Sequence, residues 1–203
     1  MVRALPFVGD DAALVAGVRA GNRQAVAALF DRHAPHVRRV LARVLGIDSE
    51  LPDLLHEVFL RALEGVDRLS DPAALQGWLT SIAVFTARGC IRKRKARRWL
   101  RLVAPEEVPE VEAATPSAEV TEALKEAYLL LGRLPADERI PFALRFIDGM
   151  ELTEVAAACG VSLATIKRRL SRAQDAFSVG ARAHPALADW LEGGARWADP
   201  RDP

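Results

Sequence analysis

The sequence lacks most of what an exported, membrane-spanning or metal-dependent protein needs. Of its 203 residues only two are cysteine, Cys90 and Cys159. They are far apart and form no C-x-x-C, so neither a disulfide framework nor a zinc site is indicated, and a reducing cytoplasm is expected. No apolar run approaches the roughly 18–20 residues of a membrane helix, and Met1–Phe7 lacks the long apolar stretch of a signal peptide, so no membrane insertion is expected. Acid is missing from Pro72 to Pro105, while eight Arg or Lys fall between Arg88 and Arg101. From Glu106 to Glu119 the reverse holds, with five Glu and no base. The net charge of +1 therefore hides blocks of opposite sign, and charge has to be read by segment.

Alternating β-branched patterns are scarce as well. Apolar residues recur at helical spacing, which predicts an all-α protein. Residues 11–30 form an amphipathic stretch divided near Gly21-Asn22. Pro35 should kink or restart the helix before Val37, Val40, Leu41, Val44 and Leu45, and Gly46 should end it. A helix from Leu51 to Glu64 follows, with Asp48 or Ser49 as N-cap and Leu51, Leu55, Val58 and Ala62 as its buried stripe. Asp71-Pro72 opens the next helix, where Leu75, Trp78, Leu79, Ile82, Ala83 and Thr86 face a core before the basic segment begins. Periodicity lapses over the Pro- and Glu-rich residues 104–120 and resumes near Val120. The expected organisation is two small helical domains, 11–102 and 121–180, joined by an acidic linker, 103–120, with a tail at 181–203.

The sharpest motif spans residues 152–177. Leu152, Val155, Ala156 and Cys159 sit at helical spacing, Gly160 supplies a left-handed stop, and Ser162 caps a second helix with Ile166, Leu170, Ala173 and Phe177 inward. This is a helix-turn-helix pattern, whose second helix is offered to a DNA major groove. Its outer face carries Ala164, Thr165, Lys167, Arg168, Ser171 and Arg172, short polar groups and long cations suited to base edges and phosphates. A plain hairpin with a solvated basic face explains the cations but not the agreement of turn chemistry, core spacing and outer face. Gly160-Val161-Ser162 is no nucleophile elbow, since Ala164 stands where a second glycine is needed and no strand precedes it.

The basic run at 88–101 is longer than a helix dipole accounts for, because that effect is confined to the last turn. With Trp99, and with Trp78 and Phe85 upstream, it offers cations and aromatic surface to nucleic acid, although the spacing of Trp78 alone says core. Asp53, His56, Glu57 and Arg61 share one helical face, which reads as a solvated or protein-contacting face because no second ligand cluster accompanies it. His33 and His36 are equally weak as ligands. There is no P-loop, H-E-x-x-H or G-x-G-x-x-G. No catalytic residue, metal ligand or cofactor is indicated, and an enzyme is not expected.

The order of parts then resembles a known family. Leu51-Pro-Asp-Leu-Leu-His-Glu-Val-Phe-Leu-Arg-Ala62, Trp78-Leu79-Thr-Ser-Ile82-Ala83, the basic helix end, the acidic linker and Gly160 through Arg172 are similar to the extracytoplasmic-function group of bacterial sigma factors, over about residues 11–178. The resemblance implies a sigma region 2-like bundle and a sigma region 4-like helix-turn-helix in an alternative sigma factor that initiates transcription. Asp53, His56, Glu57, Leu60 and Arg61 would dock on the beta-prime clamp helices of RNA polymerase core, and the beta flap is a further implied contact. Trp78, Phe85, Arg88, Arg92, Lys93, Arg94 and Trp99 would bind and open the minus-10 promoter element. Ser162, Thr165, Lys167, Arg168, Ser171 and Arg172 would read the minus-35 element in duplex form. An anti-sigma factor is an implied partner.

The sequence departs from the family pattern at Val84, Phe85 and Gly89, where Arg, Asn and Asp are usual, and at His56, where glutamine is. Those departures motivate an alternative, a sigma-like regulator that binds DNA or polymerase without melting promoters. A third class is an interaction module whose basic run neutralises an acidic partner.

Overall fold

The computed structural model describes residues 7–46, 48–100, 118–182 and Leu187, with the side chains of 98–100 and 118–122 left undescribed. Among these residues there are eight α-helices and no strand. The all-α expectation holds.

α1 (Asp11–Arg19) starts where Asp10 accepts a hydrogen bond from the Ala13 amide at 2.9 Å. α2 (Arg23–Leu45) is capped by Asn22, whose side chain accepts from Gln24 and Ala25. Pro35 neither stops nor restarts α2. One buried stripe runs through it, from Ala25 and Leu29 to Val37, Val40, Leu41 and Val44. Burial on both sides of the proline outweighs the roughly 3 kcal/mol that an interior proline costs. Gly46, at φ +80°, ends the helix as expected.

α3 (Leu51–Gly65) begins at Leu51 as expected, but its cap is neither Asp48 nor Ser49. Its N-cap is Glu50, without a side-chain cap bond, while Asp48 accepts from the Glu50 amide at 2.9 Å. Asp48 does not reach the helix because its other oxygen is held by Arg94. The buried stripe is Leu54, Val58, Phe59 and Ala62, with Leu51 and Leu55 only half-buried. The difference follows from α3 packing against both α2 and α4, which moves the covered face toward Leu54 and Phe59. Asp71 caps a short 3-10 turn, Pro72–Ala74, that leads into α4 (Leu75–Leu100). Leu75, Leu79 and Ala83 are fully buried, and Trp78 is half-buried beside Gly65.

The second half comprises α5 (Ala118–Arg133), α6 (Ala136–Phe142), a π-helical turn at Ala143–Ile147, α7 (Leu152–Cys159) and α8 (Leu163–Ala181). Phe142 anchors its core, with the rings of Phe146 and Phe177 centred 4.9 and 5.0 Å away. The expected linker lies outside the described residues up to 117, and the helix is already running at Ala118. Of the expected tail only Ala181, Arg182 and Leu187 are described, and Leu187 is buried. The two halves pack on one another, α4 against α6 and α7, and α2 against the π turn.

Candidate polymerase and nucleic-acid interfaces

The helix-turn-helix forms as its residues direct. Glu151 and Glu154 make a reciprocal capping box at the start of α7. Gly160 ends α7 in the left-handed region, φ +65°, and the Val161 amide closes back on the Ala156 carbonyl at 3.1 Å. Ser162 caps α8 by accepting from the Thr165 amide, and the two hydroxyls lie 3.0 Å apart. Ile166, Leu170, Ala173 and Phe177 are buried. Ser162, Arg168, Ser171 and Arg172 stand exposed, and Thr165 and Lys167 are half-buried. No acidic side chain among the described residues pairs with Lys167, Arg168 or Arg172. The helix therefore presents three unneutralised cations on its outer face. Arg169, one step around, is turned the other way and lies 3.5 Å from Asp137.

The basic stretch of α4 is less uniform than its sequence. Arg94 is held by Asp48 and Glu50 and acts as a strut between α4 and the start of α3. Burial opposes ionisation of Asp48, but hydrogen bonds from Arg94 and the Glu50 amide prevail and hold its carboxyl below the usual range. Arg88 Nε lies 3.3 Å from Asp137 Oδ1, on α6. Arg92 and Lys93 are exposed. Phe85 is 59% exposed, with the Arg61 guanidinium 5.1 Å from its ring centre. Trp78 belongs to the core margin. Trp99 falls within α4, its side chain outside the described residues.

On α3, Asp53, His56, Leu60 and Arg61 are exposed and Glu57 is half-buried, its carboxylate 2.7 Å from Arg61 Nη2. The structure brings this face and the middle of α4 together. A cavity of about 370 Å³ opens between them, lined by Asp53, Glu57 and Arg61 on one side and Phe85, Lys93 and Arg94 on the other. The two sets, assigned separately from sequence, meet at one groove.

Sequence reasoning missed the contacts between the halves. Asp137 stands between Arg88 and Arg169. Asp148 receives Arg39 Nε at 3.1 Å with Arg43 beside it. Arg139 is buried against the end of α2. Cys159 is buried near Arg88 and Arg169, and burial pushes its thiol up to about 11. No local pattern marks these residues, since their partners come from distant parts of the chain. No group of three or more His, Cys, Asp or Glu that could hold a metal, and no helix long and apolar enough to cross a membrane, occurs among the described residues.

Comparison with known proteins matches this arrangement. Residues 29–99 fit the family model for Sigma-70 region 2, and residues 124–174 that for Sigma-70, region 4. The ECF RNA polymerase sigma factor SigC of Mycobacterium tuberculosis is 30% identical over 166 residues, 81% of this chain and 88% of the relative. The chain belongs to the extracytoplasmic-function sigma factors of RNA polymerase. As an alternative sigma factor it directs the polymerase core to specific promoters and starts transcription there. The ECF RNA polymerase sigma-E factor of Escherichia coli is 27% identical over 176 residues, 82% of this chain and 92% of the relative. Among solved structures, CnrH in complex with the cytosolic domain of CnrY is similar with a TM-score of 0.59 and 26% identity, covering 86% of this chain and 98% of that one.

Proposed function

We propose a division of labour within this sigma factor that follows its exposed faces. The α3 face of Asp53, His56, Glu57, Leu60 and Arg61 docks on the polymerase clamp. The outer face of α8, through Ser162, Thr165, Lys167, Arg168, Ser171 and Arg172, reads the minus-35 duplex. Within α4, Phe85, Arg92 and Lys93 engage the opened minus-10 strand, while Arg94 and Trp78 shape the helix that presents them. Arg88 joins them once Asp137 lets go. The chain acts in the cytoplasm, carries out no catalysis of its own and is restrained by an anti-sigma protein, as the CnrH relative is seen bound to the CnrY cytosolic domain. The observation that carries this reading is the unneutralised basic face of α8 in a chain whose net charge is only +1.

Reach adds a requirement. A packed chain of this length has a radius of gyration near 17 Å, hence a diameter of about 40–45 Å. The two promoter elements lie about 25 base pairs apart, about 85 Å at ~3.4 Å per pair. The halves must part to touch both, and the about 15 residues of 103–117 that precede α5 can extend to roughly 50 Å. The interface suits parting, because Arg88 Nη2 and Arg169 Nη1 are buried there without hydrogen-bond partners.

Promoter-specific run-off transcription by core polymerase with the purified chain tests the reading. Stable core binding with no transcript from any candidate promoter would overturn it. The non-melting regulator draws support from the engagement of Arg88 and Arg94 by acids. Permanganate footprinting separates the two, since only a strand-opening sigma factor exposes unpaired thymines.

A further inference from the structure

The side chain of Asp148, at the end of the π turn, is only 5% exposed where it meets two arginines of α2. Its Oδ1 receives Arg39 Nε at 3.1 Å and lies 3.9 Å from Arg43 Nε. Arg39 is anchored from behind. Its Nη2 donates to His36 Nδ1 at 3.1 Å, His36 Nε2 lies 2.8 Å from Thr80 Oγ1, and the Thr80 hydroxyl donates to the Gln76 carbonyl at 2.9 Å. Thr80 is buried, so this chain of bonds runs from the interior of the first half to a guanidinium at its surface. The seat for the carboxylate belongs to the first half, and only its occupant comes from the second. The same asymmetry holds across the interface. Among the described residues three ion pairs join the halves, Arg39 and Arg43 with Asp148 and Arg88 with Asp137, and in each the cation is on the first half. No carboxylate of the first half pairs with any of these arginines among the described residues. Parting therefore leaves three arginines on one face without a counter-charge.

We propose that the seat formed by Arg39 and Arg43, with His36 orienting Arg39, binds a backbone phosphate of duplex DNA when the halves part, and that Asp148 stands in for that phosphate while they are closed. The proposal rests on the reading that the halves part on a promoter, and it adds a site on α2, apart from the faces of α3, α4 and α8 given roles above. A phosphate oxygen offers two guanidiniums the same charge-assisted acceptor as Asp148 Oδ1. Such contacts hold the DNA backbone and read no base, so this one is independent of sequence. Duplex is the polyanion at hand. Arg88, on the vacated face, belongs to α4, which carries the minus-10 contacts, and the duplex between the two promoter elements runs from there toward the second half that has moved away.

The test uses the full chain and a fluorescein-labelled duplex of about 30 base pairs and arbitrary sequence, read by anisotropy between about 0.05 and 0.2 M salt. Each phosphate neutralised adds about 0.9 to the slope of log K against log salt. Arg39→Gln with Arg43→Gln should lower that slope by about two. Lys125→Gln, which removes an exposed cation from α5, should leave it unchanged. Asp148→Asn should raise duplex affinity severalfold, and the gain should vanish when both arginine changes are added. If Asp148→Asn fails to fold, the slope of the double arginine variant decides alone, since both of its positions are exposed. A gain that survives in the triple variant would overturn the proposal, because Asp148 would then be only a latch, and so would equal slopes for Lys125→Gln and the double variant. Weaker core-polymerase binding by the double variant at an unchanged slope would overturn it in favour of an acidic segment of the polymerase. Absence of salt-dependent duplex binding by wild type would reject the promoter reading as a whole, whereas wild-type binding with an unchanged slope in the double variant rejects the phosphate seat alone.

Discussion

Arg139 Nε donates to the Val44 carbonyl at 2.9 Å, and its Nη2 donates to the Leu45 carbonyl at 3.1 Å. The final carbonyls of a helix have no partner within it, and they carry the negative end of its dipole. Here a guanidinium from the second half of the chain satisfies the end of α2. The Tyr128 hydroxyl donates to the preceding carbonyls of Ala42 and Arg43 at 3.3 Å, with its ring against Gly46. The end of one half is thus finished by side chains of the other.

Arg139→Met keeps the stem and removes the donors. Hydrogen bonds to charged groups are each worth about 1.5–3 kcal/mol, so losing both should lower the coupling between halves by about 3–6 kcal/mol. Each half keeps its own core. Urea unfolding should become broader or biphasic, and small-angle scattering should report a larger radius of gyration than wild type. A single transition at the wild-type midpoint with an unchanged radius would show that Arg139 does not hold the halves together.

Asp137 is the second fastening, and a weaker one. Its side chain is 54% exposed, so solvent screens both of its ion pairs. Asp137→Asn leaves Arg88 and Arg169 facing each other without a counter-charge. Exposed pairs contribute about 0.2–1 kcal/mol each. The open population should rise about two- to thirtyfold, and affinity for promoter duplex in the absence of polymerase should rise with it. Fluorescence anisotropy on duplex DNA checks this. Equal affinity for the two proteins would place the energetic barrier to opening elsewhere.

Which parts of this were legible in the sequence follows from the range of the forces involved. Gly160, Ser162 and the inward Ile166, Leu170 and Phe177 act within a turn or two, so the helix-turn-helix could be read directly. The position of Pro35 was misleading for the opposite reason, because long-range burial of Val37, Val40 and Val44 overrides a local penalty. Arg88 and Arg94 looked like two more free cations in a basic run. Their acids, Asp137 and Asp48, come from other elements, and only the packing of α4 on α6 and on the start of α3 reveals them. The cavity between α3 and α4, which Gly89 lines, was visible only as a departure from pattern, since a missing side chain says nothing of the space around it.

His36 introduces a pH dependence whose sign is fixed by its tautomer. The Thr80 hydroxyl donates to the Gln76 carbonyl at 2.9 Å, so His36 Nε2 must donate to Thr80 Oγ1, 2.8 Å away. That leaves Nδ1 as acceptor for Arg39 Nη2 at 3.1 Å. Burial and then the Arg39 charge depress the His36 pKa, with Asp148 opposing them, and burial likewise depresses His33 against the pull of Asp11. The unfolded chain therefore takes up these protons at higher pH than the folded one. Their contribution to stability is complete above about pH 6.5 and is lost as pH falls through the lower folded values. The melting temperature should be flat near pH 8 and decline below pH 6.5, and His36→Gln should flatten that decline. An identical decline in the variant would exclude His36 as a source.

The outer face of α8 yields the last expectation, in which contact type decides the result. A cation on phosphate weakens binding to all sequences alike when removed, and it lowers the salt slope by about one. A cation on a base edge costs about 1–3 kcal/mol at its own site and relaxes preference there. Arg172 and Lys167 flank the buried Leu170 and Ile166, and Arg172 is exposed while Lys167 is half-buried. Arg172→Ala and Lys167→Ala should each weaken minus-35 duplex binding, with relaxed preference where the lost contact was to a base. Arg169→Ala should not weaken it, because Arg169 faces Asp137 and away from the groove-facing side. Titrations of minus-35 duplexes at several salt concentrations distinguish the cases. If Arg169→Ala is the variant that loses sequence preference, the face assigned to DNA is the wrong one.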